Sequence, residues 1–170
     1  MGTLVSQTTD MYAASSKVVG RYWRKILANM PDAVLVYDLD GRVVYANNQA
    51  SNNLRYASAE QLMNQTVTDF AERYMFIDEN GSLLGIDSLP SRRALRDNME
   101  VDCVIHFVET QGEEDFWLSI KAFPITGRGR TPKFVVICYH DLTSLKLAET
   151  LLKDSNRRIA GILDDLLKLD

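Results

Sequence analysis

The side chains that could do chemistry in this 170-residue chain are few, and their spacing suits it poorly. Two cysteines, Cys103 and Cys138, and two histidines, His106 and His140, stand inside largely apolar runs. None forms the paired Cys/His spacing of a metal site. Thiols so placed behave as small buried hydrophobes in a reducing compartment, and a lone histidine on a strand reads as structural. Carboxylates gather at Asp38 and Asp40 with Gly41, and again at Glu113, Glu114 and Asp115. The first group starts like a calcium loop, but the remaining ligand positions do not follow. Both groups read as solvated turns rather than an acid–base pair. No Ser/His/Asp arrangement, phosphate loop or metal motif emerges. These residues are therefore expected to carry no catalysis and no metal.

Composition narrows the classes further. Hydrophobic residues at 46% and charged residues at 25% are those of an ordinary soluble domain. The length suffices for one domain with extensions, which needs no disulfide to fold. A net charge of −4 argues against a nucleic-acid partner. No apolar run approaches the roughly 20 residues of a membrane span, and no secretory leader is visible, so a cytoplasmic protein without a span is expected. The start Met1-Gly2-Thr3-Leu4-Val5-Ser6 fits the short myristoylation pattern, a match that chance supplies often.

The elements that must position these residues follow from apolar periodicity. Helical spacing over 8–30 ends at Pro31 and Asp32. Two β-prone runs, 33–37 and 42–46, flank the turn Asp38-Leu39-Asp40-Gly41 and predict a hairpin. Short helices are predicted over 49–54, 58–64 (capped by Ser58) and 67–74. A second turn at 78–81 separates Met75-Phe76-Ile77 from Leu83-Leu84. Ser88-Leu89-Pro90 opens a helix through about Asp97, on which Ser91, Arg92, Arg93 and Leu95 make a half-exposed amphipathic turn. Three strands follow. In 100–109, Val101, Cys103, Ile105 and Phe107 share a face. In 115–125, Phe116, Leu118, Ile120 and Ala122 do so. The run 133–140 is nearly continuous and reads as covered on both faces. Gly and Arg fill the loop 126–131. Short turns within each strand group predict an antiparallel sheet with the helices across one face, an α+β domain.

The last 30 residues carry a heptad seam. Leu145, Ala148, Leu152, Ser155, Ile159, Ile162, Leu166 and Leu169 alternate spacings of three and four, which lets two helices wind about each other. Ser155 is the one polar position of the seam. Asp141 or Thr143 can cap this helix.

The order of elements, with the residues Met30-Pro31-Asp32, Asp38-Leu39-Asp40-Gly41-Arg42-Val43-Val44-Tyr45-Ala46-Asn47, Leu89-Pro90, Trp117-Leu118, Phe123-Pro124-Ile125 and Asp141-Leu142-Thr143, resembles the PAS domain family over about residues 24–145. The resemblance implies a five-stranded antiparallel sheet with short helices on one face enclosing a small cavity. It further implies a sensory module, flanked by an N-terminal helical extension (1–23) and a C-terminal coiled-coil signalling helix (143–170), with the sensory domain proper at 24–142. Such domains commonly dimerise and drive an output domain in cis or a partner kinase, here that of a two-component histidine kinase. Asp141 and Thr143 would couple sheet to helix. The helix after them contains no histidine to accept phosphate, so the output lies outside this chain.

Candidates to line the cavity are Tyr45, Phe70, Tyr74, Leu95, Cys103, Ile105, Leu118, Ile120 and Ile137. Asn47, Asn48, Ser119 and Tyr139 could add polar groups. The alternative is that these side chains fill a core and the protein is a ligand-free dimerisation module. The ligand is left open. Flavin-binding members carry a cysteine in the central helices. Asn52-Asn53-Leu54-Arg55 and Phe70-Ala71-Glu72-Arg73 have none, which argues against covalent flavin. Haem members use a helical histidine, and both histidines here are on predicted strands. A periplasmic anion sensor would need an export signal and flanking spans, neither of which is visible.

Overall fold

A computed structural model describes residues 22–167 apart from 64, 128 and 130. The predicted first helix is described from residue 22, as α1 over 22–28. Its earlier part and the myristoylation-like start lie outside the described residues.

The predicted hairpin is formed by β1 (Ala33–Tyr37) and β2 (Val43–Ala46), antiparallel. Its turn uses the Asp38 carboxylate, whose Oδ1 accepts from the amides of Asp40 (3.0 Å) and Arg42 (2.9 Å). Gly41 closes the turn at φ +80°, a conformation that L side chains adopt at a cost. Asp78 and Gly81 repeat the device, with Asp78 Oδ1 accepting from Asn80 (2.9 Å) and Ser82 (2.8 Å). These aspartates are therefore occupied by turn amides.

The sheet is antiparallel throughout, in the order β2-β1-β6-β5-β4-β3. Its other members are β3 (Tyr74–Asp78), β4 (Val101–Glu109), β5 (Asp115–Thr126) and β6 (Pro132–Asp141). It has six strands where five were expected. The extra one is the Met75-Phe76-Ile77 run, which pairs with β4 from Tyr74↔Glu109 to Asp78↔Ile105. Between β2 and β4 the chain forms α2 (Asn48–Asn53), α3 (Ala59–Leu62), α4 (Val67–Arg73) and, after β3 and a single 3₁₀ turn, α5 (Pro90–Asp97). A capping box starts α4: Thr66 Oγ1 accepts from Asp69 N (3.2 Å) and Asp69 Oδ2 accepts from Thr66 N (2.6 Å). Ser58 does stand at the start of α3 but makes no capping hydrogen bond, a correction to the expected cap. Pro90 sets the first turn of α5, which ends at Asn98 in the left-handed region.

The inner sheet face carries Leu35, Ile105, Phe116, Leu118, Ile120 and Ile137, all but fully buried beneath the helices. The rings of Phe107 and Phe116 stack at 5.1 Å, with Tyr74 edge-on to Phe116 at 5.5 Å. The expectation that β6 is covered on both faces is corrected: Val135, Ile137 and Tyr139 are buried, but Phe134 on the other face is 42% exposed. That outer face also holds both histidines. His106 stacks on Trp117 at 4.3 Å and lies 2.7 Å from Asp115, while His140 lies 3.4 Å from Asp32. The last helix, α6 (Thr143–Leu167), leaves the sheet at the end of β6.

Candidate functional site: a buried cavity and the joint to the last helix

A cavity of about 30 Å³ lies between the helical layer and the inner sheet face. It has room for one or two waters. Apolar walls from α2, α4 and the sheet surround it, among them Leu54, Phe70, Ile105, Ile120 and Ile137. The polar groups are Tyr37 from β1, Tyr139 from β6 and the buried Ser91 in the first turn of α5. The two tyrosine side chains lie near each other and interact electrostatically. Burial pushes both phenols well above their ordinary value, and for Tyr37 the nearness of Tyr139 adds to it. Both therefore stay neutral and can donate or accept within the cavity.

Of the residues predicted to line a cavity, Phe70, Ile105, Ile120 and Ile137 do so. Tyr74 and Leu118 are buried beside it in the core, and the Tyr74 hydroxyl donates to Leu54 O at 2.7 Å. Leu95 packs partly on the core and otherwise faces a cleft outside α5. Cys103 is half-buried over a separate cleft near Glu79 and Arg93. Burial raises its thiol to about 11. Tyr45 points to the opposite sheet face, pairs with Val36 and packs its ring 5.5 Å from that of Trp23 in α1. A register irregularity in the hairpin separates it from the inward-facing Val43.

Asn47 is engaged elsewhere. Its Oδ1 accepts from Val34 N (3.0 Å) and Ala50 N (2.9 Å), and its Nδ2 donates to Leu27 O (3.0 Å) and Asp32 O (2.9 Å). It ties α1, β1 and α2 together and has no capacity left for a ligand. Ser119 faces the outer side with Lys121 and Cys138, and Asn48 is exposed. Tyr37 was missed as a wall residue, although the alternation Ala33, Leu35, Tyr37 points it inward. Ser91, Leu54 and Leu89 carried no comparable signal.

The joint to α6 is built from three elements. Leu142 N donates to Trp117 O (2.8 Å), and Trp117 N donates to Thr143 Oγ1 (3.0 Å). These bonds bolt the helix start to β5. The N-cap position expected for Asp141 or Thr143 belongs to Leu142, whose carbonyl accepts from Lys146 N (2.9 Å), and Asp141 one residue earlier accepts from Thr143 N (2.8 Å), satisfying the first free amide of the helix. Asp141 Oδ2 lies 3.3 Å from Nη2 of Arg55. Burial opposes ionisation of Asp141, but the Thr143 hydrogen bonds and the Arg55 charge outweigh it and hold the carboxyl below its ordinary value. Arg55 follows Leu54 directly, sits in the left-handed region at φ +56°, and lays its guanidinium over the Phe116 ring at 4.9 Å. Its carbonyl accepts from Arg73 Nη2 (3.0 Å). On the other side, Lys146 of α6 stands over Trp117 at 5.4 Å and 3.5 Å from Glu79.

Beyond this joint α6 leaves the domain. Every described side chain from 147 to 162 is exposed, including Ala148, Leu152, Ile159 and Ile162 of the seam, as is Leu145 before them. The Leu166 side chain and all of Leu169 lie outside what the structure describes. Among the described residues no helix is long and apolar enough to cross a membrane, and no group of three or more potential metal ligands converges.

A six-stranded antiparallel sheet with short helices packed over one face defines an α+β class of domain. The chain belongs to the PAS domain family, whose profile matches residues 31–144. Among solved structures it is similar to the PAS domain of a protein from Colwellia psychrerythraea (TM-score 0.55, 19% identity, 74% of this chain and 98% of that one). It is also similar to a PAS domain from a two-component sensor histidine kinase (0.51, 15%, 74% and 98%). A third likeness is to an RNA-binding light-oxygen-voltage receptor (0.62, 17%), over 83% of this chain but 38% of the receptor. At these identities the likeness is one of fold. No curated protein matches the sequence.

Proposed function

We propose that this chain is a sensory PAS module that detects a small molecule in its inner cavity. It passes the event through α6, paired with a second copy, to an output domain that is not part of this sequence. A histidine kinase is the output class this reading favours, since one of the structures sharing the fold comes from such a kinase. The observation that carries the reading is the continuity of Leu54, Arg55 and Asp141: a cavity wall, the next residue, and the acceptor of the first amide of α6. A ligand that displaces Leu54 moves Arg55, and through it the charge that holds the helix start. The apolar seam left exposed on α6 is what a second copy of the helix would cover. The proposal places the protein in the cytoplasm, with the sensory domain at 24–142.

The cavity is narrow, so the ligand is either very small or must open the helical layer. The second reading, a ligand-free dimerisation module, draws on that narrowness. Mass spectrometry of natively purified protein, followed by thermal shifts across a metabolite panel, separates the two. A bound or stabilising compound whose effect is lost in Tyr139→Phe supports sensing. A protein that releases nothing and shifts with nothing favours the dimerisation module.

A further inference from the structure

The wall of the inner cavity selects its ligand by charge. Its polar groups are Tyr37, Tyr139 and Ser91, and among the described residues none that lines it carries a carboxylate, an ammonium or a guanidinium. Burial keeps both phenols neutral. A charged ligand would leave water for a space that holds no counter-ion, a loss that a few hydrogen bonds do not return. The cavity therefore suits an uncharged molecule.

One end of the same wall supplies hydrogen-bond donors. Leu89, Pro90 and Ser91 are the N-cap and first turn of α5, and all three line the cavity. No side chain caps this helix. The first amides of a helix have no partner within it, so this end presents donors together with the positive end of the helix dipole. Ser91 gives a second, independent sign. It is only 5% exposed, and its hydroxyl makes no hydrogen bond among the described residues. Among those residues, the unpartnered side-chain atoms sealed away from all free space belong to Tyr45 and Arg92. The Ser91 hydroxyl is not one of them, so it opens on the cavity that its residue lines. A buried hydroxyl without a partner is costly, and a ligand oxygen relieves that cost. A carbonyl oxygen has two lone pairs and no charge, so it can meet the hydroxyl and a helix amide together.

We propose that the inner cavity takes a small uncharged carbonyl compound, a simple amide or aldehyde, with its oxygen at Ser91 and the start of α5. Its other atoms lie against Leu54, Ile105 and Ile137, and any N–H it carries meets the phenol of Tyr37 or Tyr139. At about 30 Å³ the space holds two or three non-hydrogen atoms. This inference rests on the reading of the cavity as the sensory pocket and names what that pocket accepts.

Formamidinium, formamide and formate test it, because all three are planar, share one size and differ chiefly in charge. Each is titrated into the whole chain at pH 7 and constant ionic strength, with ¹³C-labelled isoleucine methyls and backbone amides as the readout. Formamide should shift the methyls of Ile105, Ile120 and Ile137 saturably. Its dissociation constant should be no tighter than about 0.5 mM, the limit for so small a ligand. Formate and formamidinium should leave those methyls unmoved. Ser91→Ala should weaken formamide binding about fivefold, the loss of one hydrogen bond. Ser119→Ala, on the outer sheet face, should leave it unchanged. Saturable binding of either ion at these methyls, no saturable binding of formamide, or full affinity in Ser91→Ala would each overturn the inference. The sensory reading is tested separately in the same titration, since it requires formamide to shift the Thr143 amide as well. Binding that moves the isoleucine methyls but not Thr143 would overturn that reading and leave this inference standing.

Discussion

The guanidinium of Arg55 lies 3.3 Å from the carboxylate of Asp141, 86 residues later in the chain. Arg55 directly follows the cavity-wall residue Leu54, just past α2, and Asp141 binds the first amide of the exit helix, so this ion pair is a direct physical link between the helical layer and α6. Both side chains are about one-third exposed, and an ion pair so placed contributes about 1 kcal/mol or less. Its importance lies in position rather than strength. Arg55→Ala should lower global stability by less than ~1 kcal/mol, yet raise amide exchange in the first turn of α6. Arg55→Gly removes the same link but relieves the left-handed backbone, an offset of about 1 kcal/mol. It should therefore unfold at nearly the wild-type denaturant midpoint while showing the same loosened helix start. Equal α6 protection in both variants and wild type would sink the link.

Asp141 gives stability a pH dependence of defined sign. Its folded-state carboxyl is held below the ordinary value, despite burial, by Thr143 and Arg55. The stabilisation is therefore complete above the unfolded value near 4, and is lost as the pH falls through the depressed folded value. Asp141→Ala removes the acceptor of the first free amide of α6 and should cost about 1 kcal/mol at pH 7. The gap to wild type should narrow as the solution is acidified below about pH 4. Chemical denaturation of both proteins at pH 7 and pH 3 reads this directly.

Asn47 binds four backbone groups drawn from α1, the residues before β1, β1 itself and α2. Asn47→Ala strands the buried Val34 amide and frees the end of α1, at a cost of about 3 kcal/mol. Asn47→Asp keeps the acceptor but points a carboxylate at the Leu27 and Asp32 carbonyls. That variant should be the less stable of the two at pH 7 and should recover as acid protonates the new carboxyl, because its folded-state value is raised. Urea midpoints at pH 7 and pH 4.5 test the crossing.

Burial raises the Cys103 thiol to about 11, against only partial opposition from Arg93. At pH 8 its thiolate is about one part in a thousand, compared with about a quarter for a free thiol, so alkylation should be slowed on the order of 100-fold. Cys138 is also raised by burial and should be slowed less. Iodoacetamide kinetics with and without denaturant, read by mass spectrometry per site, give both rates. The same shift lowers stability as the pH rises from about 9 towards 11, because the unfolded thiol loses its proton first.

The strands, turns and sheet face were legible because each rests on a short-range pattern. Alternation placed Ile105, Leu118 and Ile120 inward, and Asp40-Gly41 and Asn80-Gly81 placed the two turns. What escaped the pattern depends on tertiary geometry. Tyr45 alternates as an inward residue, but the hairpin irregularity turns it to the other face. Asn47 is polar and follows a strand, which says nothing of the four backbone groups that meet it. The β3 strand is short and its partner β4 is distant in sequence, so the sixth strand emerges only when β4 supplies its hydrogen bonds. Arg55 could not be linked to Asp141 from spacing, since nothing local connects residues on different elements.

The helix α6 was legible from its apolar periodicity, and that periodicity leaves a row of apolar side chains on its surface. Ile159 and Ile162 are 53% and 60% exposed in the single chain, on a 25-residue helix whose described side chains from 147 to 162 are all exposed. An apolar stripe on an isolated helix gains nothing from folding alone, since helix propensity contributes little without a packed face. Pairing with a second copy buries both residues on each helix, at about 25 cal/mol per Å² of apolar surface. The double substitution Ile159→Asp, Ile162→Asp places four carboxylates in that seam. It should raise the dimer dissociation constant by at least about 100-fold if each desolvated charge costs over 1 kcal/mol, while leaving the unfolding of residues 33–141 unchanged. Sedimentation equilibrium measures the first and thermal melting the second. An unchanged oligomer with an intact fold would move the interface to α1 or to the outer face around Trp117 and Phe134.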